Sequence, residues 1–295
     1  MTYLSVARAA KNWGVSERSV RKYCADGNIP GAFLTGKTWN VPEEALKPER
    51  KNVKASRPAS LLDALKAERA ARLSGGLYHK LQIEFSYNSN HIEGSSLTHE
   101  QTRYIFETAS IGATGKSVNV DDIIETSNHF RCVDSIIDRA KCTLSEKYIK
   151  ELHFILKNGT TDSRKGWFAV GDYKKMPNEV GGRETAAPEA VHGEMTALLR
   201  AAKAKEGVTL TDILDFHVAF ERIHPFQDGN GRVGRLIMFK ECLKHGITPF
   251  IIEDELKLFY YRGLNEWPKE KGYLTDTCLL AQDKFKKYME YFRMI

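Results

Sequence analysis

The chain has 295 residues, of which 42% are hydrophobic and 28% charged, so it is long enough for one large globular domain and one small one. No apolar run approaches the ~20 residues of a membrane-spanning helix. The first residues also lack the basic stretch and apolar core of a signal peptide, so we expect a cytoplasmic protein without a membrane partner. The five cysteines are odd in number and show no CxxC spacing, which argues against a zinc site and a disulfide framework.

The first 48 residues predict a small domain made of two short helices and a hairpin. Ser5 can cap a first helix that Gly14 ends, and Ser16 can cap a second helix rich in basic residues. Residues 32–41 then predict a hairpin that turns near Gly36. This is the element order of a winged helix-turn-helix domain. Basic residues outnumber acids in this early part of a chain whose net charge is +6, which indicates a polyanion partner.

A linker separates this part from the rest of the chain. The stretch from Lys47 to Pro58 has two prolines and almost no large apolar residues. We therefore predict one domain at residues 1–48, a linker at 49–60 and a second domain at 61–295.

The second domain is predicted to be mainly α-helical. Its predicted helices are Leu61–Ser74, Tyr78–Tyr87, Thr98–Ala109, Asp121–Ala140, Ser145–Lys157, Glu189–Ala204, Thr211–Ile223, Arg232–Lys244, Lys257–Asn265 and Thr275–Tyr291. Two helix starts carry capping-box pairs, Thr98 with Gln101 and Thr143 with Glu146.

One segment of this domain departs from the helical pattern. Residues 166–188 contain four glycines and two prolines, which disfavour a helix. The apolar pieces at 167–170 and 178–180, with a turn at Gly181 and Gly182, predict an extended hairpin.

The most informative segment is HPFQDGNGRVGR, which begins at His224 and ends at Arg235. Pro225 ends one apolar helix and a second begins near Arg232, so the loop between them leads to free backbone N–H groups that can bind an anion. Arg232 and Arg235 lie one helical turn apart and can reach that anion. Asp228 supplies a hard oxygen ligand that suits Mg²⁺.

His224 is a candidate general base at neutral pH. Taken singly, each of these features has an ordinary structural explanation, such as a capping histidine, a turn or a loop acid. Their combination in this order favours a phosphate-transfer site.

This segment resembles the Fic signature, His-Pro-Phe-x-(Asp/Glu)-Gly-Asn-Gly-Arg-x-x-Arg, without departures. The lead-in at 220–223, the helix start at 98–102 and the pair Tyr260-Tyr261 resemble the same family, so the resemblance covers most of Leu61–Tyr291. It implies a mainly α fold, a Fic helical domain with a β-hairpin flap. It also implies transfer of AMP from ATP to a Ser, Thr or Tyr hydroxyl of a target protein or of the chain itself, with Mg²⁺ as cofactor.

The resemblance further implies a role for each site residue. His224 deprotonates the target hydroxyl, Asp228 holds Mg²⁺, and Phe226 anchors the loop in the core. The α-phosphate is expected at Gly229, Asn230 and Gly231, and the outer phosphates at Arg232 and Arg235. In the flap, the expected nucleotide contacts are Asn178, Glu179, Val180 and Gly181, and the target backbone is expected to dock there as an added strand. Tyr260 and Tyr261 are candidates for the adenine pocket and equally for core aromatics.

A second motif, Ser89-x-x-x-Glu93-Gly94, resembles the family's inhibitory motif, (Ser/Thr)-x-x-x-Glu-(Gly/Asn). We expect it on a helix near residues 86–94. The resemblance implies that Glu93 pairs with Arg235 and withdraws it from the γ-phosphate, which turns the nucleotide out of line. The alternative is a plain helix end with a solvated glutamate.

The first domain resembles the small winged helix-turn-helix of the MerR/excisionase type. On that basis the expected DNA contacts are Arg18, Ser19, Arg21 and Lys22 at the major groove or phosphates, and Lys37 at the minor groove. The alternative is a structural or protein-binding domain with a solvated basic helix.

Three interpretations of the whole chain follow. The first is a self-inhibited protein adenylyltransferase with a DNA-binding or autoregulatory N-terminal module. The second is a de-AMPylating phosphodiesterase in which Glu93 positions a water. The third is a DNA-binding regulator whose Fic domain senses nucleotide, which the complete signature disfavours. The sequence leaves the target, the bound DNA sequence and homo-oligomer formation open.

Overall fold

The computed structural model describes residues 2–36, 38–48, 60–112 and 117–294. The chain divides into two compact units, Met1–Ser56 and Arg57–Ile295. All of the predicted linker except Ser60 lies outside the described residues, so the domain boundaries stay predictions. No helix in the described ranges is both long and apolar enough to cross a bilayer.

The first unit contains two helices and a three-stranded antiparallel sheet. Its elements are β1 (Tyr3–Ser5), α1 (Val6–Trp13), α2 (Glu17–Ala25), β2 (Phe33–Thr35) and β3 (Thr38–Pro42), with strand order β1-β3-β2. Both predicted N-caps are confirmed, because the Ser5 and Ser16 hydroxyls accept from the backbone three residues ahead. Strand β1 was not predicted, since three residues are too few to show alternation and its pairing partner, β3, lies far along the chain.

The second unit is a helical bundle, and each of the ten predicted helices is present. They are α3 (Leu61–Ala70), α4 (Leu77–Ile92), α5 (His99–Thr108), α6 (Val120–Asp138), α7 (Glu146–Lys157), α8 (Pro188–Lys203), α9 (Leu210–Ile223), α10 (Asn230–His245), α11 (Lys257–Glu266) and α12 (Gly272–Tyr291). Helix α10 is buried along most of its length and packs against α4, α6, α7 and α9. The loop that joins α9 to α10 is therefore anchored from both ends.

Two of the predicted details are wrong. The predicted cap at Thr143 is displaced by Ser145, whose hydroxyl accepts from the backbone N–H of Tyr148 at 3.2 Å. The predicted strand at 167–170 is a turn, because the N–H of Phe168 donates to the carbonyl of Lys165 and the Phe168 ring is buried.

The flap hairpin itself is short. Strand β4 (Glu179–Val180) pairs with β5 (Arg183–Glu184) in antiparallel register. Gly181 and Gly182 form the turn at φ values of 57° and 74°, in the left-handed region that favours glycine. This agrees with the predicted turn.

Candidate active site

The loop between α9 and α10 is held in one conformation by its own polar groups. His224 ends α9 with φ of 50°, and its N–H donates to the carbonyl of Phe220 at 2.9 Å. The side chain of Asn230 accepts from the N–H of Phe226 and donates to its carbonyl, each at 2.8 Å. The Phe226 ring is buried and stacks on His153 with 4.0 Å between centroids. The Asn230 side chain thus shapes the loop, and only its backbone is left to face an anion.

The imidazole of His224 is neutral at pH 7. Burial is the main cause that lowers its pKa to about 4. The Lys174 ammonium also lowers the pKa, whereas the charges of Glu93 and Asp228 raise it. A neutral imidazole at a helix end is a competent proton acceptor.

The first turn of α10 forms an anion cradle that depends on glycine. Gly229 precedes the helix at φ of 80°, and the first-turn N–H groups have no helical acceptor. A Cβ on Gly231 would collide with the Glu93 carboxylate and press on the Arg235 guanidinium. Glycine at this position therefore lets those two groups meet over the cradle.

Arg235 is bound on one side by the end of α4. Its Nη2 donates to Glu93 Oε1 at 2.7 Å and to the Ser89 carbonyl at 2.9 Å, and its Nε donates to Ser89 Oγ at 3.0 Å. The arginine side chain is 1% exposed and that of Glu93 is 26% exposed, while Arg235 Nη1 has no partner. Burial alone would lower the pKa of Arg235, but the Glu93 carboxylate outweighs it and the pKa is raised. Burial and the charge of Glu93 also raise the pKa of the nearby Glu221 carboxyl to about 8.

Asp228 and Arg232 belong to a ring of four charges, and its lysine, Lys157, also donates to Asp162 at 2.9 Å. Asp228 Oδ2 accepts from Lys157 Nζ at 2.7 Å and from Arg232 Nη2 at 3.1 Å. Glu125 completes the ring with ion pairs to Lys157 and Arg232. Sequence reasoning missed Glu125 and Lys157, because neither lies near the motif and only packing of α6 and α7 brings them there. The one signal in the sequence was that an acidic residue, Glu125, stands among the regularly spaced apolar residues of α6.

Asp228 has the chemistry of a Mg²⁺ ligand. Burial would raise its pKa, but Arg232 and Lys157 outweigh that effect and hold the pKa below its usual range, so the carboxylate is ionised. Its side chain is 47% exposed. The described residues contain no group of three or more acidic, His or Cys side chains that could hold a metal. A cation at Asp228 would therefore take its other oxygens from phosphate and water, as Mg²⁺ commonly does.

Comparison with known proteins agrees with this arrangement. Residues 143–242 match the model of the Fic/DOC family. These residues are thus similar to a Fic/DOC domain. A protein adenylyltransferase Fic from Nematostella vectensis is 29% identical over 185 residues, which cover 61% of this chain and 42% of that protein. The protein adenylyltransferase Fic of Drosophila melanogaster is 30% identical over 183 residues, covering 60% and 36%. The chain thus spans less than half the length of these curated relatives.

Solved structures extend the similarity to the fold. A Fic domain containing signaling protein from Bacteroides thetaiotaomicron matches with a TM-score of 0.59 and 26% identity, covering 78% of this chain and 90% of that one. A Fic family protein from Desulfovibrio desulfuricans matches with a TM-score of 0.56 and 23% identity, covering 78% and 73%. The helical bundle is therefore a Fic fold.

The flap hairpin is tied to the active-site loop through Asn178. The Asn178 amide donates to the carbonyl of Phe226 at 3.0 Å, so its side chain is committed to protein contacts. Glu179, Val180 and Gly181 are exposed at the tip of the hairpin. These three residues are free to meet a ligand or a partner strand, whereas Asn178 anchors the flap.

The two tyrosines of the predicted adenine pocket differ in position. Tyr260 is fully buried in the core, and its hydroxyl lies 2.7 Å from His217 Nε2. This position does not support a contact with the nucleotide, and Tyr260 fits the core-aromatic alternative. Tyr261 is half-buried, and its hydroxyl donates to the carbonyl of Ile92 at 3.5 Å. Tyr261 thus lies at the end of α4, next to Glu93.

The predicted DNA contacts lie on α2 of the first unit. Arg18, Arg21 and Lys22 are exposed there, and Arg21 pairs with Glu17 at 2.8 Å. Ser19 is half-buried, and its hydroxyl lies 2.9 Å from that of Ser16, so it belongs to the helix cap. Lys37 lies outside the described residues.

Proposed function

We propose that this chain is a self-inhibited protein adenylyltransferase that transfers AMP from ATP to a hydroxyl of a protein side chain. The observation that carries the proposal is the neutral imidazole of His224 beside the glycine-lined first turn of α10, with two arginines and an ionised aspartate around it. A neutral base, an anion cradle and a hard carboxylate are the three requirements of nucleotidyl transfer.

In the proposed reaction, the target oxygen forms a bond to the α-phosphorus while the bond to pyrophosphate breaks. The hydroxyl proton moves to the neutral imidazole of His224, and pyrophosphate leaves. The first-turn N–H groups at Gly231 and Arg232 stabilise the charge that develops on the α-phosphate. Mg²⁺, when bound at Asp228, neutralises phosphate charge.

The second part of the proposal is that Glu93 restrains this reaction. The Glu93 carboxylate and the Ser89 hydroxyl occupy the Nη2 and Nε donors of Arg235, so this buried guanidinium can offer a phosphate only its Nη1. A nucleotide deprived of one outer-phosphate contact is expected to bind out of line, which slows transfer by orders of magnitude.

The test is self-labelling of purified variants with α-labelled ATP and Mg²⁺. We expect Glu93→Gly to label at least about tenfold faster than wild type. Ser89→Ala should give a smaller increase, because Ser89 only supplements the carboxylate. Arg235→Ala should not label fast, since it removes the phosphate contact together with the partner of Glu93.

Matched controls separate charge from general effects. Glu93→Gln removes the charge and should activate, whereas Glu100→Gln removes an exposed acid on the neighbouring α5 and should not. Equal, low labelling of wild type and Glu93→Gly, with ATP bound by both, would contradict the proposal. Activation of Glu93→Gly combined with loss of an AMP-removing activity would favour the phosphodiesterase instead.

A second function, DNA binding by the first unit, is supported by the exposed basic face of α2. Arg18, Arg21 and Lys22 project from one short helix that a sheet and α1 support, which suits contact with phosphates.

A further inference from the structure

Lys174 is a buried lysine between the flap and the active-site loop. It is 3% exposed, and its Nζ donates to Asn178 Oδ1 at 2.7 Å, to Thr185 Oγ1 at 2.6 Å and to the carbonyl of Ile223 at 3.4 Å. An ammonium has three protons, and each of them has an acceptor here.

All three acceptors are neutral. No carboxylate lies within 4.0 Å of this ammonium in the described part of the chain. Burial without a paired counter-ion is unfavourable for an ammonium. Burial therefore lowers the pKa of Lys174 to about 8, although the charge of Glu194 raises it. An apolar side chain in this space would leave the three acceptors without this donor, so the ammonium is held here by its specific hydrogen bonds.

These hydrogen bonds join two parts of the site. Asn178 directly precedes β4 and Thr185 directly follows β5, so together they form the base of the flap. Ile223 precedes His224 in the chain. The backbone N–H of Lys174 also donates at 2.9 Å to the carbonyl of Pro225, the residue that follows His224. One residue thus binds both ends of the flap and both chain neighbours of the histidine.

We propose that Lys174 is a positioning residue that holds the flap in a fixed relation to His224. A target strand docked on the flap would then present its hydroxyl to the imidazole, and this consequence rests on the proposed transferase activity. The clamp itself is a property of the folded chain, and it can be measured without any reaction.

The experiment is amide hydrogen exchange of residues 176–184 in the full chain. Lys174→Met keeps the length of the side chain and removes the ammonium, so exchange in the flap should accelerate at least about fivefold while α9 and α10 remain protected. The matched control is Lys175→Met, which removes the adjacent exposed lysine and should leave exchange unchanged. Thr185→Val removes one acceptor and should accelerate flap exchange to a smaller degree.

The positioning role also needs a catalytic readout. In the Glu93→Gly background, Lys174→Met should slow self-labelling at least about tenfold with ATP affinity unchanged, because misplacement of a docked hydroxyl raises the barrier. Unchanged flap exchange, equal acceleration in Lys175→Met, or acceleration that extends through α9 and α10 would overturn the clamp. Undiminished labelling despite a loosened flap would overturn the positioning role. Absence of labelling in every variant would refute the transferase, and flap exchange would still decide the clamp.

Discussion

His224 owes its function to its surroundings, and replacing it tests the reaction most directly. In the Glu93→Gly background, we expect His224→Ala to lower self-labelling by ~10²–10⁴-fold, the usual loss on removal of a general base. ATP should still bind, because the imidazole acts on the target hydroxyl. Labelling kinetics and nucleotide binding measured on the same preparation check both statements. Near-parental labelling would contradict the mechanism.

The same prediction extends to pH. The pKa of His224 is about 4 in the folded chain and 6.5 for an ordinary histidine, so the base stays unprotonated well below pH 6.5. Protonation of His224 should therefore not slow the labelling by Glu93→Gly between pH 7 and about 5.5. The sign for stability is opposite: a lowered histidine pKa costs folding free energy as pH falls below 6.5, because the unfolded chain binds the proton more tightly.

Glu125 is one of the two residues of the charge ring that the sequence did not predict, and it carries a separate prediction. In Glu125→Gln, Lys157 and Arg232 lose a shared partner and both draw on Asp228. The Mg²⁺ concentration for half-maximal labelling of the Glu93→Gly background should then rise about tenfold, the usual scale for loss of an outer partner of a metal ligand. The control, Glu151→Gln, breaks an exposed ion pair with Arg139 and should leave the Mg²⁺ dependence unchanged.

At the scale of single residues, the sequence predicts the site residues that lie close together along the chain. His224, Asp228 and Arg235 stand within one motif, whose order alone identifies them. Glu125 and Lys157 come from helices about 70 to 100 residues earlier, and no spacing rule connects them to the motif. For Tyr260 the sequence left an adenine contact and a core position equally open, because sequence resemblance does not report burial.

Among the secondary-structure elements, α7 carries a prediction from the misassigned helix cap. Ser145 caps the helix that supplies His153 and Lys157 to the site, whereas Thr143 lies outside it. Ser145→Ala should lower the free energy of unfolding by about 1 kcal/mol, and Thr143→Ala should leave it nearly unchanged. Chemical denaturation of the two variants beside wild type makes the comparison. Equal effects would mean that the assignment of Ser145 is wrong.

The ends of other elements show why boundaries were harder to predict than helices. The helix predicted at Tyr78–Tyr87 and the inhibitory helix predicted near 86–94 are one continuous helix, α4, which passes through Asn88 and Asn90, residues that disfavour helix interiors. Both asparagines are buried and hydrogen-bonded to distant residues: Asn88 accepts from the backbone N–H of Asp254, and Asn90 donates to Thr126. Tertiary partners thus override local propensity, and they extend α4 to the point where Glu93 reaches Arg235.

On the scale of the whole molecule, the chain combines a helical unit with a Fic fold and a small basic unit. The two have different charge patterns and separate cores, with Val20 and Val41 buried in the first and Phe226 and Phe239 in the second. This organisation favours a chain in which one unit binds a polyanion and the other modifies proteins. The proposal for the first unit can be tested without knowledge of a DNA sequence.

The test is a salt series with a mixed-sequence DNA duplex and the full chain. Arg18→Ala combined with Arg21→Ala should weaken binding and reduce the slope of log affinity against log salt by ~0.9 for each phosphate that the protein no longer neutralises. Arg8→Ala combined with Lys11→Ala removes the same charge from α1, whose exposed face is not expected at the DNA, and should change the slope less. An equal loss in both double variants would indicate non-specific attraction to a basic unit. Absence of binding by wild type at low salt would refute DNA binding and leave α2 as a solvated or protein-binding face.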